Sequence, residues 1–149
     1  MKTKYAIFKH LTEEEQSRLI EQSILQEFQP ESVVIKEGEK VNGIFIVISG
    51  TCRVEKESAA GFKLELARLD RGEVFGEVAF IDQLPASATV TADTPCKIRT
   101  INFNTVAKLL QTNPDVFGRF YHSLAVILAG RLRQVGDLFS DAHKRYVSW

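Results

Sequence analysis

Two neighbouring runs hold the residues best placed to do chemistry: Gly72-Glu73-Val74-Phe75-Gly76-Glu77-Val78-Ala79-Phe80 and Pro85-Ala86-Ser87-Ala88-Thr89-Val90. They read as a strand end, a glycine turn, one short helical turn and a return strand. Such a turn gathers backbone N–H groups into a cradle for an anion. The chemistry this implies is recognition, with no bond made or broken. Nothing else in the chain points to catalysis, because no Ser/His/Asp or Cys/His pairing carries a local signature. His10, His122 and His143 lie in three separate helical or terminal segments, so no strand offers the converging imidazoles of a metal site. Cys52 and Cys96 are the only cysteines. Two thiols cannot make a zinc site alone, and both read as small core or edge residues.

The cradle needs a scaffold, and the surrounding pattern supplies one. Thr12 with Glu15 forms a capping box ahead of a helix predicted over about 13–24, with Leu19, Ile20 and Ile24 inward. After Pro30 the period shortens. Runs such as Val33-Val34-Ile35, Ile44-Phe45-Ile46-Val47-Ile48, Thr51-Cys52-Arg53-Val54, Phe62-Lys63-Leu64-Glu65-Leu66 and Cys96-Lys97-Ile98-Arg99-Thr100-Ile101 are β-branched or alternating, and glycines punctuate them closely. Short strands between glycine turns predict a sandwich or jelly roll, not βαβ units. Helical spacing returns after residue 102, with Asn102 as a cap and Asn113-Pro114 as a cap followed by proline at the first helical position. A long helix is predicted from Pro114 to about Phe139. Tyr121, Leu124, Leu128, Val135 and Leu138 form a seam along it, and Arg131 is that seam's one polar slot. Such a seam suits a symmetric partner helix through residues 114–139, or else packing back on the chain's own β-domain.

Composition narrows the class. The chain has 149 residues, 44% of them hydrophobic, which suits one domain able to bury a core without staples. Its formal net charge is zero, so the basic excess that drives phosphate-backbone binding is missing. No apolar run approaches a membrane span, and a charged N-terminus without an apolar h-region suits a reduced, cytoplasmic protein. The expected organisation is an N-terminal helical part over about 8–30, a β-roll over 31–101 with the cradle at 72–90, helices over 102–139, and a tail at 140–149. Within the tail, His143-Lys144-Arg145-Tyr146 reads as a solvated end.

In order and spacing, Glu37-Gly38-Glu39, the Ile44–Ile48 run with Ser49-Gly50, Gly72 and the two cradle runs resemble a cyclic-nucleotide-binding domain. In that family a Phe-Gly-Glu-x-Ala turn followed by Pro-Arg-x-Ala-Thr forms the phosphate-binding cassette. The segment from Asn113 to Leu138 resembles the central helix of bacterial catabolite-activator and Fnr-type regulators. The resemblance implies a mainly β fold with flanking helices: a double-stranded β-helix jelly roll followed by a long C-terminal helix, with ligand between cassette and helix. It implies that Gly76, Glu77 and Val78 offer backbone N–H groups, that Glu77 accepts a ribose hydroxyl, and that Ser87 meets the cyclic phosphate. Val54 and Leu66 would line the pocket wall, and Arg131 and Leu132 would lie over the base.

Ala86 departs from the pattern, standing where the family carries its phosphate-binding arginine. Losing that charge-assisted pair, about 1.5 to 3 kcal/mol, should weaken a cyclic phosphate's binding roughly ten- to 150-fold. Arg131 either compensates by reaching the phosphate or base, or serves only in a salt bridge. The expectation is a binding domain for cAMP, cGMP or another small anionic effector. It needs no metal or cofactor, dimerises, and signals to an unknown downstream protein through movement of its last helix. The alternative is a degenerate roll that no longer binds cyclic nucleotide, and that acts as a dimeric interaction module or senses another small molecule. With about ten residues after Phe139, no helix-turn-helix is expected, and so no direct DNA binding.

Overall fold

Thr12 opens the first helix as its residue type dictates. Its hydroxyl accepts the Glu15 N–H at 3.2 Å, and the Glu15 carboxylate accepts the Thr12 N–H at 2.8 Å. The computed structural model describes the backbone of residues 5–147 and the side chains of 5–141. A 3-10 turn over Ala6–Phe8 precedes α1 (Glu13–Glu21), which ends sooner than its spacing predicts. Ile24 does not turn inward on a helix. It begins β1 (Ile24–Phe28) and is 63% exposed. Five consecutive backbone pairings from Ile24 opposite Thr100 to Phe28 opposite Cys96 capture this segment, and a ladder of that length overrides weak helical spacing.

The remaining strands are β2 (Val33–Ile35), β3 (Gly43–Ser49), β4 (Cys52–Glu57), β5 (Lys63–Leu69), β6 (Val74–Phe75), β7 (Thr89–Ala92) and β8 (Cys96–Asn102). The helices are α2 (Glu77–Asp82), α3 (Phe103–Thr112) and α4 (Pro114–Val147). Two four-stranded antiparallel sheets result, ordered β1-β8-β3-β6 and β2-β7-β4-β5, which is the predicted jelly roll. Alternation along β3 divides the interior in two. Ile44 and Ile46 face the helices beside Phe8, Leu19, Val106 and Phe120, whereas Phe45 and Val47 face into the roll beside Ile35, Phe75, Val90 and Ile98. Cys52 and Cys96 sit in that inner core as free, buried thiols with their sulfurs 3.8 Å apart.

Helix α4 extends past the predicted Phe139 and has two different halves. Val116, Phe120 and Leu124 are fully buried against the domain, while Val135 and Leu138 are more than half exposed. The predicted seam therefore splits, because Leu124 belongs to this chain's own core. The side chains of His143, Lys144, Arg145 and Tyr146 lie outside the described residues. Among those described, no helix is long and apolar enough to cross a membrane.

Phe120 is 1% exposed and touches both Phe80 and Tyr121 edge-on or nearly so. Phe120→Ala should lower unfolding free energy by about 3–5 kcal/mol in urea titrations, because it opens a cavity where α4 meets α2.

Candidate functional site

The cradle is built around a glycine that nothing can replace. Gly76 has φ +83°, and a Cβ there would lie 2.6 Å from the Gly43 carbonyl and 3.0 Å from the Phe45 ring. This left-handed residue turns the chain out of β6 and into α2, so that Glu77 enters as the first helical residue. The return run is pinned from the other side. The Gly38 N–H donates to the Ala86 carbonyl at 2.8 Å, the Ala86 N–H to the Glu39 carbonyl at 2.9 Å, and the Glu37 N–H to the Thr89 hydroxyl at 3.0 Å. The Glu37-Gly38-Glu39 turn is thus a strap that fixes the direction of residue 86.

Glu77 points inward and is 1% exposed. Its partner comes from far along the chain. Arg131 of α4 donates one guanidinium nitrogen to Glu77 Oε1 and the other to the Val74 carbonyl. Burial pushes the Glu77 carboxyl above the ordinary carboxylate range, and the Arg131 charge and the residue's own backbone N–H only partly offset this. Arg131 therefore neither floats in solvent nor stands free for an incoming anion. It ties the last helix to the floor of the cassette.

Between cassette, sheet and α4 lies a cavity of about 270 Å³. Gly76, Glu77, Val78, Ala86, Ser87, Val54 and Arg131 all line it, so seven of the predicted site residues meet in one place. Leu66 and Leu132 do not line it. The β4–β5 ladder pairs Val54 with Ala67 and Glu55 with Glu65, leaving Leu66 as the extra residue of a bulge. Ala67 faces the cavity in its stead, and Leu66 is 51% exposed. Leu132 follows Arg131 by one helical step, which turns it away to 74% exposure.

Sequence reasoning missed Val41, Asp82 and Leu84 in the lining, and the Val74 carbonyl as a partner of Arg131. Only Leu84 left a trace, as a large apolar residue directly before Pro85. His10 and His122, predicted in separate segments, stack edge-on with ring centres 4.6 Å apart. Among the described residues, no group of His, Cys, Asp or Glu could hold a metal ion.

Residues 25–113 match the sequence profile of the cyclic nucleotide-binding domain. The chain belongs to that family. It is 36% identical over 96 residues to the cAMP-dependent protein kinase regulatory subunit of Yarrowia lipolytica, covering 64% of this chain and 25% of that protein. It is 30% identical over 115 residues to the cAMP-activated global transcriptional regulator CRP of Pasteurella multocida, covering 76% and 55%. The chain thus spans between a quarter and about half the length of these relatives. In fold it resembles the Thermus thermophilus catabolite activator protein, with TM-score 0.77 at 24% identity over 93% of this chain and 63% of that one. A cyclic nucleotide-binding domain from Methylobacillus flagellatus superposes with TM-score 0.82 at 20% identity, over 89% and 74%.

The raised Glu77 value has a definite consequence for stability. An acid whose folded value exceeds its unfolded value favours the folded state at low pH, and that contribution is lost as pH rises through the folded value. Arg131→Gln removes the guanidinium that restrains the shift and so deepens the loss. The unfolding free energy of this variant should fall further behind wild type as pH rises from the ordinary value of 4.5 toward neutrality. Urea titrations across that range measure the gap, and adding Glu77→Gln should flatten it.

Proposed function

We propose that this chain is a regulatory domain that acts by binding a small molecule, without catalysing a reaction. An effector entering the cavity alters the Glu77–Arg131 link and so repositions α4, which presents the result to a second copy of the chain and to a downstream protein. The observation that carries this reading is the ion pair itself. It joins a buried carboxylate of the cassette to a residue at the point where α4 leaves the domain, with the cavity alongside. A ligand shifts such an equilibrium only by binding one helix position better than the other.

Membership of the family, and similarity to a cAMP-dependent kinase regulatory subunit and a cAMP-activated regulator, favour a cyclic nucleotide as the ancestral effector. Ala86 is the specific observation favouring a second reading, a roll that has lost nucleotide binding and persists as a dimeric interaction module. The open cavity opposes it, since a pure scaffold has no reason to keep that space unfilled.

Dimerisation through the end of α4 is supported by the exposed stripe of Leu132, Val135, Leu138 and Phe139, each more than 60% exposed. Such a stripe on a helix is stable in water when a partner covers it.

Three outcomes are expected. In hydrogen-exchange measurements, Arg131→Gln should speed exchange in α4 beyond residue 131; unchanged protection there would overturn the coupling. In sedimentation, Leu132→Glu combined with Val135→Glu should turn a dimer into a monomer while leaving the roll folded. Ala86→Arg should strengthen cAMP binding at least about tenfold in calorimetry, because the strap already fixes the direction of that side chain.

A further inference from the structure

The cavity walls are mostly carbon, from Ile35, Val54, Leu69, Phe75 and Val90 on the roll side to Leu84 at the rim. Its polar side chains are Glu77, Asp82, Ser87 and Arg131. Two carboxylates face one guanidinium, and that guanidinium is already committed to Glu77 and to the Val74 carbonyl. The Ala86 N–H is turned to the Glu39 carbonyl. A phosphate monoanion would therefore lose its hydration beside carboxylates, with no uncommitted cation among the described lining residues to meet it.

An apolar cavity of about 150 Å³ admits benzene, so this one, at about 270 Å³, has room for a bicyclic body. An uncharged aromatic or alicyclic body gains from such walls in proportion to the apolar area it buries. Its one polar group can remain at the rim, where Asp82 and Ser87 stand.

We infer that the effector of this domain is an uncharged, mainly apolar molecule of about bicyclic size with a single hydrogen-bonding group, and not a cyclic phosphate. This rests on the reading that the cavity is the effector site.

Calorimetric titration of the full chain with 1-naphthol and, separately, with cAMP tests both. 1-Naphthol is uncharged at neutral pH, bicyclic, and carries one hydroxyl. It should bind at least about tenfold more tightly than cAMP. Ala88→Leu, which places a branched side chain in the cavity wall, should weaken it by a similar factor with the circular dichroism spectrum unchanged. If that variant does not fold, Ala67→Leu on the exposed edge strand fills the same space. Tighter binding of cAMP than of 1-naphthol to the wild type overturns the effector class and leaves the effector site standing. No binding of either compound overturns the effector site as well. Binding of 1-naphthol that survives both filling substitutions places it elsewhere and overturns the inference.

Discussion

A carboxylate that is 1% exposed must be either neutral or partnered, and the rest of this site follows from that requirement. Gly76 forces the chain to turn where only a hydrogen fits, and the turn drives Glu77 inward. Breaking a buried ion pair by removing one partner typically costs about 3–5 kcal/mol, and the lower end applies here because about a third of the Arg131 side chain reaches solvent. That energy is supplied by α4, an element reached only after the whole roll has been built. The helix is thereby held by the cassette, and the cassette is complete only with the helix in place.

The two halves of α4 give this link its leverage. Up to Leu124 the helix is part of the domain core, through Val116 and Phe120, and Arg119 adds a bidentate pair with the buried Glu15 of α1. From Leu132 onward nothing in the described chain covers it. Arg131 stands between these regimes, about one turn after the last core contact at Ile127. A change at Glu77 therefore acts on the helix where packing stops restraining it. The bonds at Arg131 can bias the direction of the free half without disturbing the buried half.

Most of the roll was legible because its signals are local. Alternating β-branched runs divided by glycines locate strands whatever their partners, and the Thr12 capping box and the Asn102 cap mark helix starts with side-chain chemistry. β1 was not legible, since Ile24 to Phe28 lacks alternation and its strand state comes from pairing with β8, about seventy residues away in sequence. The same limit applies at the site. Gly76, Glu77 and Ser87 belong to one contiguous motif, so the sequence alone brings them together, whereas a bulge that exchanges Leu66 for Ala67 depends on the register of two strands. Arg131 could be suspected from its place as the polar slot of an apolar seam. That it would choose Glu77 and a backbone carbonyl depends on the angle at which α4 crosses the cassette, and that angle is a tertiary property.

Ala86 has a different meaning once these positions are known. In an open cradle, loss of a cation would simply weaken a site. Here the remaining guanidinium already neutralises the one fully buried carboxylate, so the ligand-free cassette is electrostatically complete. An anion could recruit Arg131 only by leaving Glu77 uncompensated, which sets its approach against the link that holds α4. An uncharged ligand meets no such conflict: it can fill the carbon-lined space and leave the ion pair in place. On the proposed reading the two ligand classes would therefore act on the same helix differently. An anion that took Arg131 would release α4, whereas a neutral ligand would leave it held. The helix response, independent of affinity, therefore reports which kind of molecule the cavity receives.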